Sequence, residues 1–277
     1  MKGLSQLFFL RGLSKTVEER WPEVLAALEQ LRALLIRRSA LLVNATAEER
    51  GWVAVQPQLA EFLDLLPTSP FQTKPWSPEG ITDFEGMTLP VQVNYVGKGA
   101  NLYSFGYRYH GSAHVITRYL RNGFLWDKIR VQGGAYGAFC FFDKHSGALT
   151  FVSYRDPNLL KTLEAFDGSS RFLTDLQISD DELVKAIIGA IGDIDQYQLP
   201  DAKGYTSLAR HLTGETEDVR QKMREEILGT TRKDFHSFGE ILQAALPHAA
   251  VKVLGSETAV GDALAQKPGW LKVLKVL

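Results

Sequence analysis

Val131-Gln-Gly-Gly-Ala-Tyr-Gly-Ala-Phe-Cys-Phe-Phe142, then Asp143-Lys-His-Ser-Gly147, then Ala148-Leu-Thr-Phe-Val-Ser-Tyr154, reads as two β-rich runs joined by a loop of turn-forming residues. The pattern predicts an antiparallel hairpin. Downstream, Asn158 to Leu173 has helical periodicity, and Ser179-Asp-Asp-Glu182 is a capping box opening a helix through Leu183, Ala186, Ile187 and Ile191 towards Asp195. Thr206 to His211 and Glu217 to Leu228 are helical, Thr231-Arg-Lys-Asp234 starts another helix, and Ala250 to Leu254 reads as a strand. Upstream, His110 to Trp126 carries apolar residues at helical spacing, and Thr88 to Val96 alternates as a strand before a glycine turn at Gly97-Lys-Gly99. Tightly turned strands among long helices predict an α+β fold, helices packed on one face of a mostly antiparallel sheet.

Further towards the amino terminus, Val17, Trp21, Val24, Leu25, Leu28, Leu31 and Leu35 recur at three- and four-residue steps, predicting one amphipathic helix from Val17 to Arg38. Ala40 to Ala45 reads as a short buried strand, and Thr46-Ala-Glu-Glu49 as a capping box for a helix running towards Leu66. Pro67, Pro70, Pro75 and Pro78 then interrupt all periodicity, so residues 67–82 are expected to link two domains, 1–66 and 83–277. Glu29 to Leu63 and Phe238 to Lys267 share an order of helix, apolar strand, turn and helix. That echo predicts that 1–66 is the last part of a domain homologous to the complete one that follows.

With 31 Lys+Arg against 32 Asp+Glu the formal net charge is −1, so no basic field draws the chain to nucleic acid or anionic lipid. No apolar run reaches the roughly 18–20 residues needed to span a bilayer. The short apolar start, Met1 to Leu10, lacks a small-x-small cleavage site and reads as already inside a folded domain. Cys140, the one cysteine, sits among Phe139, Phe141 and Phe142, which predicts a buried small hydrophobe and fits a reducing compartment.

Neither H-E-x-x-H nor H-x-x-E-H occurs, and His110 with His114, or His236 with Glu240, are pairs without the rest of a metal site. No G-x-S-x-G elbow, Walker loop or dinucleotide fingerprint is present. The specific stretch is Leu125 to Gly137. On a regular strand Arg130 and Tyr136 would share a face about 20 Å apart, and a bulge or turn at Gly133-Gly134 would bring them together. Two glycines would also let a peptide backbone approach the strand edge. The competing reading pairs Arg130 with an acid such as Asp127 and lets Tyr136 cap a core.

Tyr119-Leu-Arg-Asn-Gly-Phe-Leu-Trp-Asp-Lys-Ile-Arg-Val-Gln-Gly-Gly-Ala-Tyr-Gly-Ala-Phe-Cys140 and Phe151-Val-Ser-Tyr-Arg-Asp-Pro-Asn158 resemble the last domain of the presequence-protease branch of the pitrilysin/insulinase inverzincin metallopeptidases. Gly3-Leu-Ser-Gln-Leu-Phe-Phe-Leu10 is similar to a stretch near the end of that branch's third domain. The resemblance implies four homologous α+β domains enclosing a chamber for unfolded peptides, with zinc held by H-x-x-E-H in the first. This chain would then be the carboxyl-terminal half, residues 1–66 ending a third domain and 83–277 forming the fourth.

It implies no cofactor here, zinc in the amino-terminal half, and that half together with an unfolded peptide as partners, with neither nucleic acid nor membrane. Arg130 and Tyr136 match the family's Arg and Tyr that reach the substrate near the metal. The implied catalytic pair is therefore Arg130 and Tyr136, and the substrate-binding set Arg130, Gly133, Gly134 and Tyr136. The expected compartment is bacterial cytoplasm or an organelle matrix. The rival reading is a non-catalytic family member acting as a binding or scaffolding subunit; retention of the Arg-Gly-Gly-Tyr stretch leans against it.

Overall fold

The computed structural model describes residues 3–68, 70 and 82–277, which divide into two units, 1–79 with 198–214, and 80–197 with 215–277. Most of the expected linker, residues 69 and 71–81, lies outside the described residues.

The first unit contains α1 (Leu4–Glu19), α2 (Trp21–Leu35), α3 (Glu49–Asp64) and α7 (Pro200–Thr213). The single helix expected from Val17 to Arg38 is two, because the backbone breaks at Arg20 (φ −140°, ψ 47°). That break puts Pro22 in the first turn of α2, where its missing N–H costs no helical hydrogen bond. Ala40 to Ala45 is not a buried strand. Leu41, Leu42 and Val43 are exposed, and no strand pairs with them among the described residues. The Thr46 capping box does not form either. α3 starts at Glu49 without a side-chain cap, and Thr46 is packed instead against Gly204 of α7, whose backbone carbonyl accepts from Asn44 Nδ2 at 3.0 Å.

The second unit is built on a six-stranded sheet in the order β3-β4-β2-β5-β1-β6. Its strands are β1 (Phe84–Thr88), β2 (Asn94–Asn101), β3 (Gly137–Phe142), β4 (Ala148–Asp156), β5 (Ala250–Gly255) and β6 (Lys272–Lys275). β3–β4, β4–β2 and β2–β5 are antiparallel, while β1 runs parallel to both β5 and β6. The predicted hairpin is present, and the mostly antiparallel α+β architecture holds, with β6 and the parallel edge additional to the expectation; the single strand expected over Thr88 to Val96 is instead the end of β1 and the start of β2, with residues 89–93 between them. Gly97 and Gly99 are not a turn but lie inside β2. A Cβ on Gly99 would stand 2.9 Å from the Leu149 carbonyl of β4, so close strand approach sets the residue type.

Alternate strand residues point to one buried face: Val96, Phe151, Val251 and Val253. α4 (Ser112–Leu120), α5 (Leu160–Thr174), α9 (Arg232–Ala245) and α10 (Glu257–Gln266) supply Ile116, Leu120, Phe166, Phe238 and Val260 to the same core. Phe151 stacks on Phe166 at 5.3 Å. α6 (Asp180–Ile194) and α8 (Glu217–Leu228) complete the layer. The Ser179 capping box forms, Glu182 N donating to Ser179 Oγ at 3.3 Å and Ser179 N to Glu182 Oε2 at 3.0 Å. Among the described residues no helix is long and apolar enough to cross a membrane.

Candidate functional site

α4 does not stop at Trp126. It widens into a π-helical stretch, Arg121–Val131, so Arg130 lies on a helix rather than on a strand, and β3 starts only at Gly137. Hydrophobic burial explains the continuation: Leu125 and Ile129, four apart, both reach the core. π-helical insertions are uncommon and concentrate at functional positions.

The helix ends on the two glycines. A Cβ on Gly133 would stand 2.5 Å from the Ile129 carbonyl, which no side chain tolerates. Gly134 takes φ +78°, the left-handed conformation that ends helices and that a Cβ disfavours. Its N–H returns to the Arg130 carbonyl at 3.0 Å, and Ala135 N to the Ile129 carbonyl at 3.1 Å. The local cause of the glycine pair is therefore this chain reversal.

The reversal brings Arg130 and Tyr136 together. Arg130 Nη1 donates to the Tyr136 carbonyl at 2.7 Å, and the guanidinium carbon lies 5.6 Å from the Tyr136 ring centre. The guanidinium carbon also lies over the Trp126 ring, 4.2 Å from its centre. Asp127 does not pair with Arg130; its carboxylate accepts from Gln132 Nε2 at 2.7 Å. Tyr136 does not cap a core either, since it is 64% exposed. Its ring stands edge-on to Tyr154 at 5.8 Å, and Tyr154 is edge-on to Tyr95 at 5.4 Å. The result is a guanidinium and a phenol side by side, in contact with the rings of Trp126 and Tyr154. Both are hydrogen-bond donors with affinity for a carbonyl or an oxyanion.

Three contributors were not singled out from sequence. Trp126 was readable as the residue one turn before Arg130. Asp156 and Asn158 form an Asp-Pro-Asn turn whose partner lies far away in the chain: Asn158 Nδ2 donates to the Gly133 carbonyl at 2.6 Å.

The remaining candidates do not assemble a second centre. His110 Nδ1 meets Ser112 Oγ at 2.9 Å, His114 Nε2 meets the Tyr109 hydroxyl at 3.0 Å, and His236 faces Glu240 at 3.7 Å. Burial lowers the His114 pKa, Lys144 lowers it further and Glu215 opposes them. Cys140 is buried and its thiol is pushed up by that burial. Among the described residues no three His, Cys, Asp or Glu side chains cluster as metal ligands, so the described side chains do not fit a zinc ion.

The model of the family described as "PreP C-terminal domain" matches residues 84–257. Presequence protease 1, chloroplastic/mitochondrial, of Arabidopsis thaliana is 46% identical over 278 residues, covering 100% of this chain and 26% of that protein. Protein HypA of Clostridium perfringens is 30% identical over 262 residues, covering 95% of this chain and 27% of its own length. The chain thus spans about a quarter of the length of the curated relatives it matches. Among solved structures pitrilysin superposes with a TM-score of 0.54 at 14% identity, over 82% of this chain and 25% of that one, a likeness of fold.

Proposed function

The chain belongs to the PreP C-terminal domain family, and from that premise we propose that it is the substrate-binding, carboxyl-terminal half of a zinc metalloendopeptidase that degrades unfolded peptides. In this reading residues 1–66 end the enzyme's third domain, 83–277 form its fourth, and 67–82 link them. The amino-terminal half holds the zinc and is the chain's partner; when bound there, the metal supplies the Lewis acid and the activated water of peptide hydrolysis.

This chain's contribution is made by Arg130 and Tyr136. Guanidinium and phenol donate hydrogen bonds to the backbone of an extended peptide, orient its scissile carbonyl, and stabilise the negative charge that develops on that oxygen. Gly133 and Gly134 lie between the two residues in the chain and add no side chain to the turn that joins them. One observation carries the reading: two donors, adjacent across a helix end, with the phenol exposed and no carboxylate paired with the guanidinium among the described residues. A purely scaffolding surface has no use for two such donors. An organelle matrix is the compartment we assign, or the cytoplasm if the chain is bacterial; the chloroplastic/mitochondrial wording of the Arabidopsis relative's name supports the former.

The test supplies the amino-terminal half of a presequence protease to the wild-type chain, to Arg130→Ala and to Tyr136→Phe, and measures peptide turnover. Loss of one oxyanion donor is expected to lower kcat by about 10²–10³-fold. Unchanged turnover in both variants would reject the assignment.

A further inference from the structure

We propose that Asn158 is a positioning residue for the Arg130–Tyr136 pair, acting through the Gly133 carbonyl; the inference rests on the function proposed above. Segment 130–136 is fastened at two points by one short stretch of β4 and the turn after it. At the first, β4 carries a bulge: Val96 of β2 faces Ser153 while Asn94 faces Asp156, so Tyr154 and Arg155 together oppose Tyr95. Arg155 has φ +48°, the one positive value of a non-glycine residue among those described. Strained backbone of this kind persists where the surroundings over-determine it. The bulge turns two successive carbonyls towards one donor, and Tyr136 N bonds Tyr154 O at 3.1 Å and Arg155 O at 3.3 Å.

The second point is Asn158. Its Nδ2 donates to Gly133 O at 2.6 Å, across 25 positions of sequence. Asn158 is itself held by a fully buried carboxylate: Asp156 Oδ1 accepts from Asn158 N at 2.8 Å and Oδ2 from Thr162 Oγ1 at 2.6 Å. The Asp156 carbonyl in turn accepts from Asn94 Nδ2 at 3.1 Å. Pro157 lies against Gly134, its Cγ 3.6 Å from where a Cβ would be. The helix end carrying Arg130 and the strand start carrying Tyr136 are thus referred to one rigid frame, the bulge and the Asp156-Pro157-Asn158 turn. The amide of Asn158 fixes how far the first stands from the second.

A misplacement of about 1 Å costs up to roughly 10²-fold in rate. The experiment uses this chain supplied with the amino-terminal half of a presequence protease, as wild type, Asn158→Ala, Asn158→Asp, Tyr136→Phe and Tyr136→Phe/Asn158→Ala. Asn158→Asp keeps the side-chain shape and removes the donor. Both Asn158 variants are expected to lower kcat by about 10- to 100-fold, with KM, zinc content and melting temperature near wild type. On the Tyr136→Phe background Asn158→Ala should cost far less than on wild type, because the hydroxyl it positions is already gone.

Wild-type turnover in both Asn158 variants, an equal fold-loss on the two backgrounds, or a loss that only tracks a lowered melting temperature would overturn the proposal. Failure of both variants to fold would do the same, since Asn158 would then be a structural residue. If Tyr136→Phe itself keeps full turnover, Tyr136 has no part in the chemistry and this inference falls with that role. If Tyr136→Phe loses turnover while the Asn158 variants do not, only the positioning role falls.

Discussion

The two units obey the same rule of amphipathic periodicity and end in opposite states. In the second, the apolar stripes of α4, α5 and α9 meet the sheet, and Ile116, Leu120, Phe166, Phe235 and Phe238 are almost wholly buried. In the first, α1, α2, α3 and α7 bury no residue at all, although Trp21, Leu25, Leu28, Leu31 and Leu35 recur with equal regularity. Periodicity specifies that a helix has a face to bury; it does not supply the surface that covers it. A sheet is what the second unit has and the first lacks among its described residues.

That contrast can be broken by mutation. Phe151→Ala, which empties the centre of the second unit, should cost about 3–5 kcal/mol in urea unfolding, while Leu28→Ala in the first should stay within about 0.5 kcal/mol; equal costs would erase the distinction. Glycines sharpen it. Gly133→Ala drives a Cβ into a rigid backbone carbonyl at 2.5 Å and should cost about 1–3 kcal/mol. Gly204→Ala puts its Cβ against Thr46, whose hydroxyl can rotate away but whose Cβ, 2.9 Å off, cannot; the about 1 kcal/mol of helix propensity gained offsets part of that crowding, so a thermal melt should fall by less than in Gly133→Ala.

At the site, Trp126→Ala removes the ring beneath Arg130, a cation–π contact worth about 0.5–1 kcal/mol at an exposed position. Peptide turnover should fall less than about tenfold, the equivalent of 1.4 kcal/mol.

The smallest effect is one of pH. His114 of the second unit has its folded pKa held below the ordinary value of 6.5, chiefly by burial and then by Lys144, so the unfolded chain takes up its proton first. Stability from the neutral ring is therefore complete above about pH 6.5 and declines as pH falls towards the folded value. Urea midpoints should drop across that interval in the wild type and less in His114→Gln; identical profiles would contradict the linkage.

Local chemistry was the readable part of the sequence. The Ser179–Glu182 box, the helix start at Thr231–Asp234 and the Asp143–Gly147 loop each depend on residues within a few positions of one another, and the structure has each where the pattern places it. What escaped depends on distant partners. Gly97-Lys98-Gly99 has turn composition, yet the Leu149 carbonyl makes it a strand. Thr46-Ala-Glu-Glu49 has the letters of a cap, yet Gly204 of α7 occupies its threonine. The closeness of Arg130 and Tyr136 comes from the turn at Gly133-Gly134, which the glycine pair signals locally. The π-helical ladder that carries Arg130 left no periodic signature, and nothing local ties Asn158 to Gly133.

Removing a single oxygen atom tests the central claim most directly. Steady-state kinetics of Tyr136→Phe, in the presence of the amino-terminal half, should show kcat lowered by about 10²-fold or more while KM stays close to wild type, the mark of an interaction made chiefly in the transition state. A kcat equal to that of the wild type would contradict the account, because the exposed phenol beside Arg130 would then have no part in the chemistry.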